Sequence, residues 1–263
     1  MMNYETLELV VSEGVASLTL NQPDQGNPLN AACCREFCHV ANELASRDDV
    51  RAVLLRARGR HFSVGGDVSL FSQDLDAMAG AVLHGTSVLH MGIARLMRLN
   101  APLVACVHGA AMGGALAILS NFDVVYSAPS ARFGAAYAQL GFTCDLGASF
   151  GLASRMGLAR ARRFLLLGEI LDADEAGRTG LVDYVMADTE VNAQAEAAAV
   201  RLSRGPTRAY GEIRRLMARS LGQAFEAQLE DEAQAFARAA ATQDAREGIT
   251  AFVEKRSPIF NGR

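Results

Sequence analysis

Two glycine-rich turns hold the residues of this 263-residue chain best suited to chemistry: His61-Phe62-Ser63-Val64-Gly65-Gly66-Asp67 and His108-Gly109-Ala110-Ala111-Met112-Gly113-Gly114. Each follows a short apolar run that reads as a buried strand, Ala52-Val53-Leu54-Leu55 before the first and Leu103-Val104-Ala105-Cys106-Val107 before the second. The second turn runs into Ala115-Leu116-Ala117-Ile118-Leu119, good helix formers, so Gly113 and Gly114 stand where a helix begins. Amides in the first turn of a helix lack partners inside it, and the helix dipole there favours negative charge. One amide from each turn could therefore hold a carbonyl oxygen as it becomes an oxyanion. The residues alone leave a plainer reading open, in which the glycines only make tight connections between strand and helix.

The remaining pattern supplies elements to position these turns. Residues 6–10 and 15–21 alternate like paired strands about Ser12-Glu13-Gly14. Asn30 is placed to cap a helix running to about Ser46. A long apolar-periodic helix is expected over 77–99, where Gly85 and Gly92 mark close packing or local mobility. Residues 140–157 read as a turn and a helix, and 158–167 as a second helix. Asp172, Asp174 and Glu175 begin a short helix, 181–186 a short strand, and 192–203 an alanine-rich helix. Gly205-Pro206 marks a boundary between a core, residues 1–204, and a helical region, residues 205–263. There Pro206 is expected in the first turn of a helix to Leu221. A second, amphipathic helix over 222–242 would carry Phe225, Leu229 and Phe236 on one face.

Half of the residues are apolar, enough for one full core with a helical appendage. The net charge of −4 is interspersed and leaves no footprint for nucleic acid. No apolar run approaches the roughly 18 residues that suggest a membrane span, and residues 1–6 lack signal-peptide character, so a cytoplasmic protein is expected. Five cysteines, an odd number, do not read as a disulfide framework. Cys33, Cys34, Cys38 and His39 fall on one expected helix, where only Cys34 and Cys38 share a face closely. They read as small core residues, and no metal is expected.

The order of motifs extends the argument. Asn21-Gln22-Pro23-Asp24-Gln25-Gly26-Asn27-Pro28-Leu29-Asn30 precedes Phe62 to Asp67, followed by Pro102 to Gly114, Asp123-Val124-Val125-Tyr126, Arg132-Phe133-Gly134 and a closing segment from Arg246 to Arg256. Over almost its whole length the chain resembles the crotonase (enoyl-CoA hydratase/isomerase) superfamily. The resemblance implies an α/β fold, a spiral of ββα repeats followed by a C-terminal helical region that builds homotrimers or hexamers. It implies an acyl-CoA thioester as ligand, with no cofactor beyond coenzyme A as the carrier. Within the superfamily, Ala138-Gln139-Leu140-Gly141 and Lys255-Arg256-Ser257-Pro258-Ile259-Phe260 look most like the phenylacetate-type ring-epoxide and enoyl-CoA isomerases.

The same resemblance frames the chemistry. Family hydratases use two glutamates, and the corresponding positions here are Ala117 and Tyr137. Adding water needs one group to activate it and one to manage the proton, so ordinary hydration is not expected. Asp145, eight residues after Tyr137, matches the catalytic aspartate of dienoyl-CoA isomerases and of ring-epoxide isomerases. Its type and place alone also suit a helix cap on the amides of Gly147 and Ala148. The reaction implied is a 1,3-proton transfer or ring rearrangement, with the enolate oxygen held by the N–H groups of Gly66 and Gly114. Asp145 and His90 also match the nucleophile and base of aroyl-CoA dehalogenases, which makes hydrolytic dehalogenation or thioester hydrolysis a second reading. Against it, Tyr137 replaces their tryptophan and Cys144 the asparagine before the aspartate. A third reading is a protein that binds acyl-CoA, or RNA, without chemistry. Family analogy assigns the CoA contacts to Gly26, Asn27, Val64, Asp67, Val68 and Lys255. Asp67 reads as a loop organiser, and Gln22 stands where many relatives place an arginine.

Overall fold

A computed structural model describes residues 4–68 and 74–263. Its strands are β1 (Leu7–Ser12), β2 (Val15–Leu20), β3 (Ala52–Ala57), β4 (Leu103–Val107), β5 (Ala110–Met112), β6 (Val124–Ser127), β7 (Arg132–Gly134), β8 (Ile170–Asp172) and β9 (Tyr184–Val185). Among the described residues they form a larger sheet in the order β1-β2-β3-β4-β6-β9 and a smaller one in the order β5-β7-β8. The β1–β2 hairpin is antiparallel, and every later pairing in the larger sheet is parallel.

The parallel strands explain the uninterrupted apolar runs, since both faces are covered. Val53 and Leu55 of β3 point with Leu103 and Ala105 of β4 into the main core, whereas Ala52 and Leu54 join Val104 and Cys106 on the other face. That second face meets the alanine-rich helix, whose Ala195, Ala198 and Ala199 are buried there.

The helices are α1 (Ala31–Ala45), α2 (Met78–Met97), α3 (Gly114–Ser120), α4 (Ala148–Met156), α5 (Leu158–Leu167), α6 (Ala173–Arg178), α7 (Val191–Ser203), α8 (Thr207–Ser220), α9 (Phe225–Ala240) and α10 (Gln243–Glu254). Asn30 caps α1, accepting from the Cys33 N–H at 2.9 Å. Gly92 is the close-packing glycine of α2, since a Cβ there would lie 2.9 Å from the Cys38 Cα; Gly85 faces open space. Several boundaries differ from the sequence expectation. The strand expected over 181–186 shortens to Tyr184–Val185, because the Val182 N–H turns back to the Ala176 carbonyl. Pro206 precedes the first turn of α8, and the helix expected over 222–242 begins at Phe225. Thr242 starts a separate α10 by accepting from the Ala245 N–H at 3.1 Å.

Two successive units, β4-β5-α3 and β6-β7-α4, give the ββα repeat its physical form: β4 pairs with β6 in one sheet and β5 with β7 in the other. The first glycine turn occupies the equivalent place after β3. Its Phe62 N–H donates to the His108 carbonyl, its Ser63 N–H to the Ala110 carbonyl, and the Met112 N–H returns to the Ser63 carbonyl, at 2.9–3.1 Å. Gly65, with φ of +90°, passes so close that a Cβ would sit 2.6 Å from the Met112 carbonyl oxygen. Gly65→Ala is therefore expected to destabilise the fold by about 1–3 kcal/mol. Gly66→Ala, where a Cβ meets nothing within 4 Å among the described residues, should stay within about 0.5 kcal/mol of the parent. Urea unfolding of the two variants checks this contrast.

Candidate active site

Gly66 and Gly114 come together because the two turns are joined edge to edge. Gly114 opens α3, so its N–H has no acceptor within the helix. The preceding Gly113 N–H is used on the Gly134 carbonyl at 2.8 Å. At the first turn the Leu29 N–H bonds to the Gly65 carbonyl at 2.8 Å, and the Gly66 carbonyl accepts from Val68. Neither the Gly66 N–H nor the Gly114 N–H has an acceptor among the described residues. A Cβ on Gly114 would come within 2.9 Å of the Leu29 and Leu146 Cδ1 atoms, so these leucines flank its amide.

Leu146 links this amide to the acid. The Tyr137 hydroxyl donates to Asp145 Oδ1 at 2.9 Å. The helix-cap reading of Asp145 is overturned: the Ala148 N–H goes to the Asp145 backbone carbonyl at 2.9 Å, while the carboxylate turns back to Tyr137. Gly147, in the left-handed region, starts α4 without a side-chain cap. Leu146 is also left-handed, with φ of +50°, and its N–H donates to His90 Nε2 at 3.1 Å. This bond fixes a His90 ring nitrogen as an acceptor of backbone, not as a vacant base.

Electrostatics follow from burial. Asp145 has its pKa raised above the usual carboxylate range by burial, against the opposing effects of the Tyr137 hydrogen bond and nearby His90. Tyr137 is driven well above the ordinary phenol range by burial, then by the charge on Asp145. The Cys34 thiol is pushed up to about 11 by burial first and by the charge on Asp145 second. The sequence pattern reads Cys34 only as a core residue, since no spacing signal connects it to a residue so distant in the chain. Ala117 is fully buried in α3 and offers no acid.

The structure divides the expected CoA contacts. The Gly26 carbonyl accepts from the Val64 N–H at 2.9 Å, which brings those two residues together beside the first turn. Val64 and Val68 are exposed and Asp67 is half-buried. Asn27 is buried and organises the loop: its Oδ1 accepts from the Gln22 N–H, and its Nδ2 donates to the Arg58 and His61 carbonyls. Gln22 Oε1 accepts from Asn30 Nδ2 at 3.0 Å, so it braces the cap of α1. Lys255 ends α10 with a left-handed backbone, and its backbone N–H donates to the Ala251 and Phe252 carbonyls. The cysteine-rich stretch of α1 turns Cys33 into the core and His39 toward the Tyr4 hydroxyl. Among the described residues no three metal-binding side chains converge.

The family model for enoyl-CoA hydratase/isomerase matches residues 11–263. The chain belongs to this family. A protein named "Probable enoyl-CoA hydratase" from Rhodobacter capsulatus is 34% identical over the full length of both chains. The 1,2-epoxyphenylacetyl-CoA isomerase of Escherichia coli is 31% identical, over 96% of this chain and 97% of that one. Among solved structures, an enoyl-CoA hydratase/isomerase from Cupriavidus metallidurans superposes with a TM-score of 0.91 at 27% identity, covering 100% of this chain and 98% of that one. Crotonase-family membership thus accounts for the repeat, the two turns and the order of motifs, while relatives bear both hydratase and isomerase names. No helix among the described residues is long and apolar enough to cross a membrane.

The His90 contact has a direct test. His90→Leu leaves the buried Leu146 N–H without its acceptor and should cost about 1–3 kcal/mol of stability. His90→Gln, which keeps an acceptor of similar reach, should recover most of that loss in a denaturant titration.

Proposed function

We propose that this crotonase-family chain is an acyl-CoA isomerase that moves a double bond by 1,3-proton transfer, with Asp145 as its base. The observation that supports this most directly is the Asp145 carboxylate fixed by Tyr137, and the family resemblance puts Ala117 and Tyr137 where hydratases use glutamates. In this reading the thioester oxygen lies between the Gly66 and Gly114 N–H groups. Withdrawal of charge onto those donors acidifies the C2 protons, and one such donor supplies about 3–4 kcal/mol in other enzymes. Tyr137 occupies Oδ1, so Oδ2 takes the C2 proton of a 3-enoyl thioester. The electron pair moves into the dienolate, and Oδ2 returns the proton at C4 to give the 2-enoyl product. The balance closes without water, a metal or a redox partner.

The dehalogenase reading loses support at His90. Its Nε2 already accepts from the Leu146 N–H, so a hydrolytic base there would first have to give up the contact holding the residue next to Asp145. The CoA contacts assigned to Gly26, Val64, Asp67, Val68 and Lys255 remain part of the proposal, with Asn27 shaping the loop. We place the protein in a homotrimeric or hexameric assembly. Exposed Phe225, Phe236 and Phe252 in α9 and α10, at 71%, 78% and 85% relative exposure, support burial of that helical region against other copies.

Asp145→Asn should lower conversion of a 3-enoyl-CoA by at least about 100-fold, with thioester affinity largely kept. Parent-like turnover by the variant, or chloride release from a 4-halobenzoyl-CoA, would remove this mechanism. Because burial raises the folded-state pKa of Asp145, the ionised side chain costs stability at pH above that value. This cost fades as pH falls through the folded pKa toward the unfolded one, so Asp145→Asn should raise the melting temperature at neutral pH but not in acid. For activity the ionised base is required, so kcat/KM should rise with pH through the same pKa. Tyr137→Phe deletes a hydrogen bond that favours the ionised form, and its acid limb should move to higher pH.

A further inference from the structure

We propose that a cavity beyond Tyr137 receives the far end of the acyl group and that Arg162 binds a carboxylate there, making thioesters of ω-carboxyacyl chains the preferred ligands. The proposal rests on the acyl-CoA reading above. The cavity has a volume of about 380 Å³ and lies between the segment 137–144 and the helices α4 and α5. Tyr137, Cys144, Phe142, Leu158 and Leu165 line it, and so does Arg162. The cavity shares Tyr137 with the candidate site through its bond to Asp145, and Cys144 immediately precedes that aspartate, so in this proposal the acyl chain passes Tyr137 to enter it.

Arg162 is distinguished by what its neighbours do. Helix α5 also carries Arg160, paired with Glu169 at 2.7 Å and Glu175 at 3.2 Å, and Arg163, paired with Glu169 at 3.0 Å. Arg162 makes no ion pair or side-chain hydrogen bond among the described residues. Arg162 is exposed, so its donors meet solvent when no ligand is bound, and its planar fork suits a carboxylate. An apolar wall with one placed charge is the usual arrangement of a small-molecule pocket: the wall takes methylenes and the charge selects the terminus. A simple alkyl chain would gain the wall alone, leaving that arginine solvated.

The test uses saturated thioesters, which cannot undergo double-bond migration, so it does not depend on the isomerase assignment. Calorimetric titration of the full chain compares hexanedioyl-CoA with hexanoyl-CoA, and octanedioyl-CoA with octanoyl-CoA. At least one ω-carboxy ligand should bind about tenfold more tightly than its alkyl counterpart, the scale of one charge-assisted contact partly open to solvent. Arg162→Gln should bring that ratio close to one while leaving the affinity for the alkyl thioester unchanged. Equal binding within both pairs, or a preference that survives Arg162→Gln, overturns the ω-carboxylate proposal and leaves the acyl-CoA reading standing. Failure of all four thioesters to bind overturns both.

Discussion

The site depends on the backbone pairing of one glycine turn with the other. Gly66 and Gly114 are far apart in sequence, and each alone is only an amide at the end of a strand. The parallel pairing of β3 with β4 brings the strand ends together, and the bonds among Phe62, Ser63, His108, Ala110 and Met112 continue that pairing past the sheet edge. Leu29 adds a third strand of contact through the Gly65 carbonyl, and Leu29 is itself fixed because Asn30 caps α1. A rigid arrangement of this kind matters for oxyanion binding, where donors must already point at the place charge will develop. The glycine requirement is local: Gly65 admits the Met112 carbonyl, and Gly114 admits Leu29 and Leu146.

Much of this frame was legible because it rests on patterns within one element. The apolar runs of β3 and β4, the Asn30 cap and the boundaries of α5 each carry their signal in consecutive or periodic residues. Three-residue strands such as β5, β7 and β8 give no period to detect, since their pairing is set by neighbours in space. The contacts around Asp145 were less legible for the same reason. Tyr137 and Asp145 are joined across an irregular segment with a 3-10 turn at Ala138–Leu140 and left-handed residues at 141, 146 and 147. Likewise, His90 reaches Leu146 from another helix, a partnership that local spacing does not encode.

The helical region is also tied to the site through the core. Arg214 of α8 donates to the Leu99 and Ala101 carbonyls and pairs with Asp123 at 2.7 Å. The same Asp123 oxygen accepts from the Leu103 N–H, the first residue of β4. One carboxylate therefore joins α8 to the strand that leads into the second glycine turn. Arg51, just before β3, donates to the Gly205 and Phe260 carbonyls and so connects the first strand of the pair to both ends of the helical region. The boundary at Gly205-Pro206 divides the sequence without detaching the helices from the elements that aim the amides.

A phenol at Tyr137, rather than a second carboxylate, changes what its neighbour can do. Two close carboxylates in a poorly solvated site repel each other when ionised, which favours keeping a proton on one of them. A phenol removes that repulsion: burial and Asp145 both push its ionisation upward, so Tyr137 keeps its proton and any negative charge of the pair lies on the aspartate. The hydroxyl also stabilises that charge through Oδ1, partly offsetting the desolvation that makes Asp145 a stronger base than an exposed carboxylate. These opposing effects agree with the proposed role of Asp145, which would accept a carbon-bound proton and then give it back. In the proposed isomerisation no second proton carrier is needed, which agrees with an alanine at the buried position 117 and a phenol at 137.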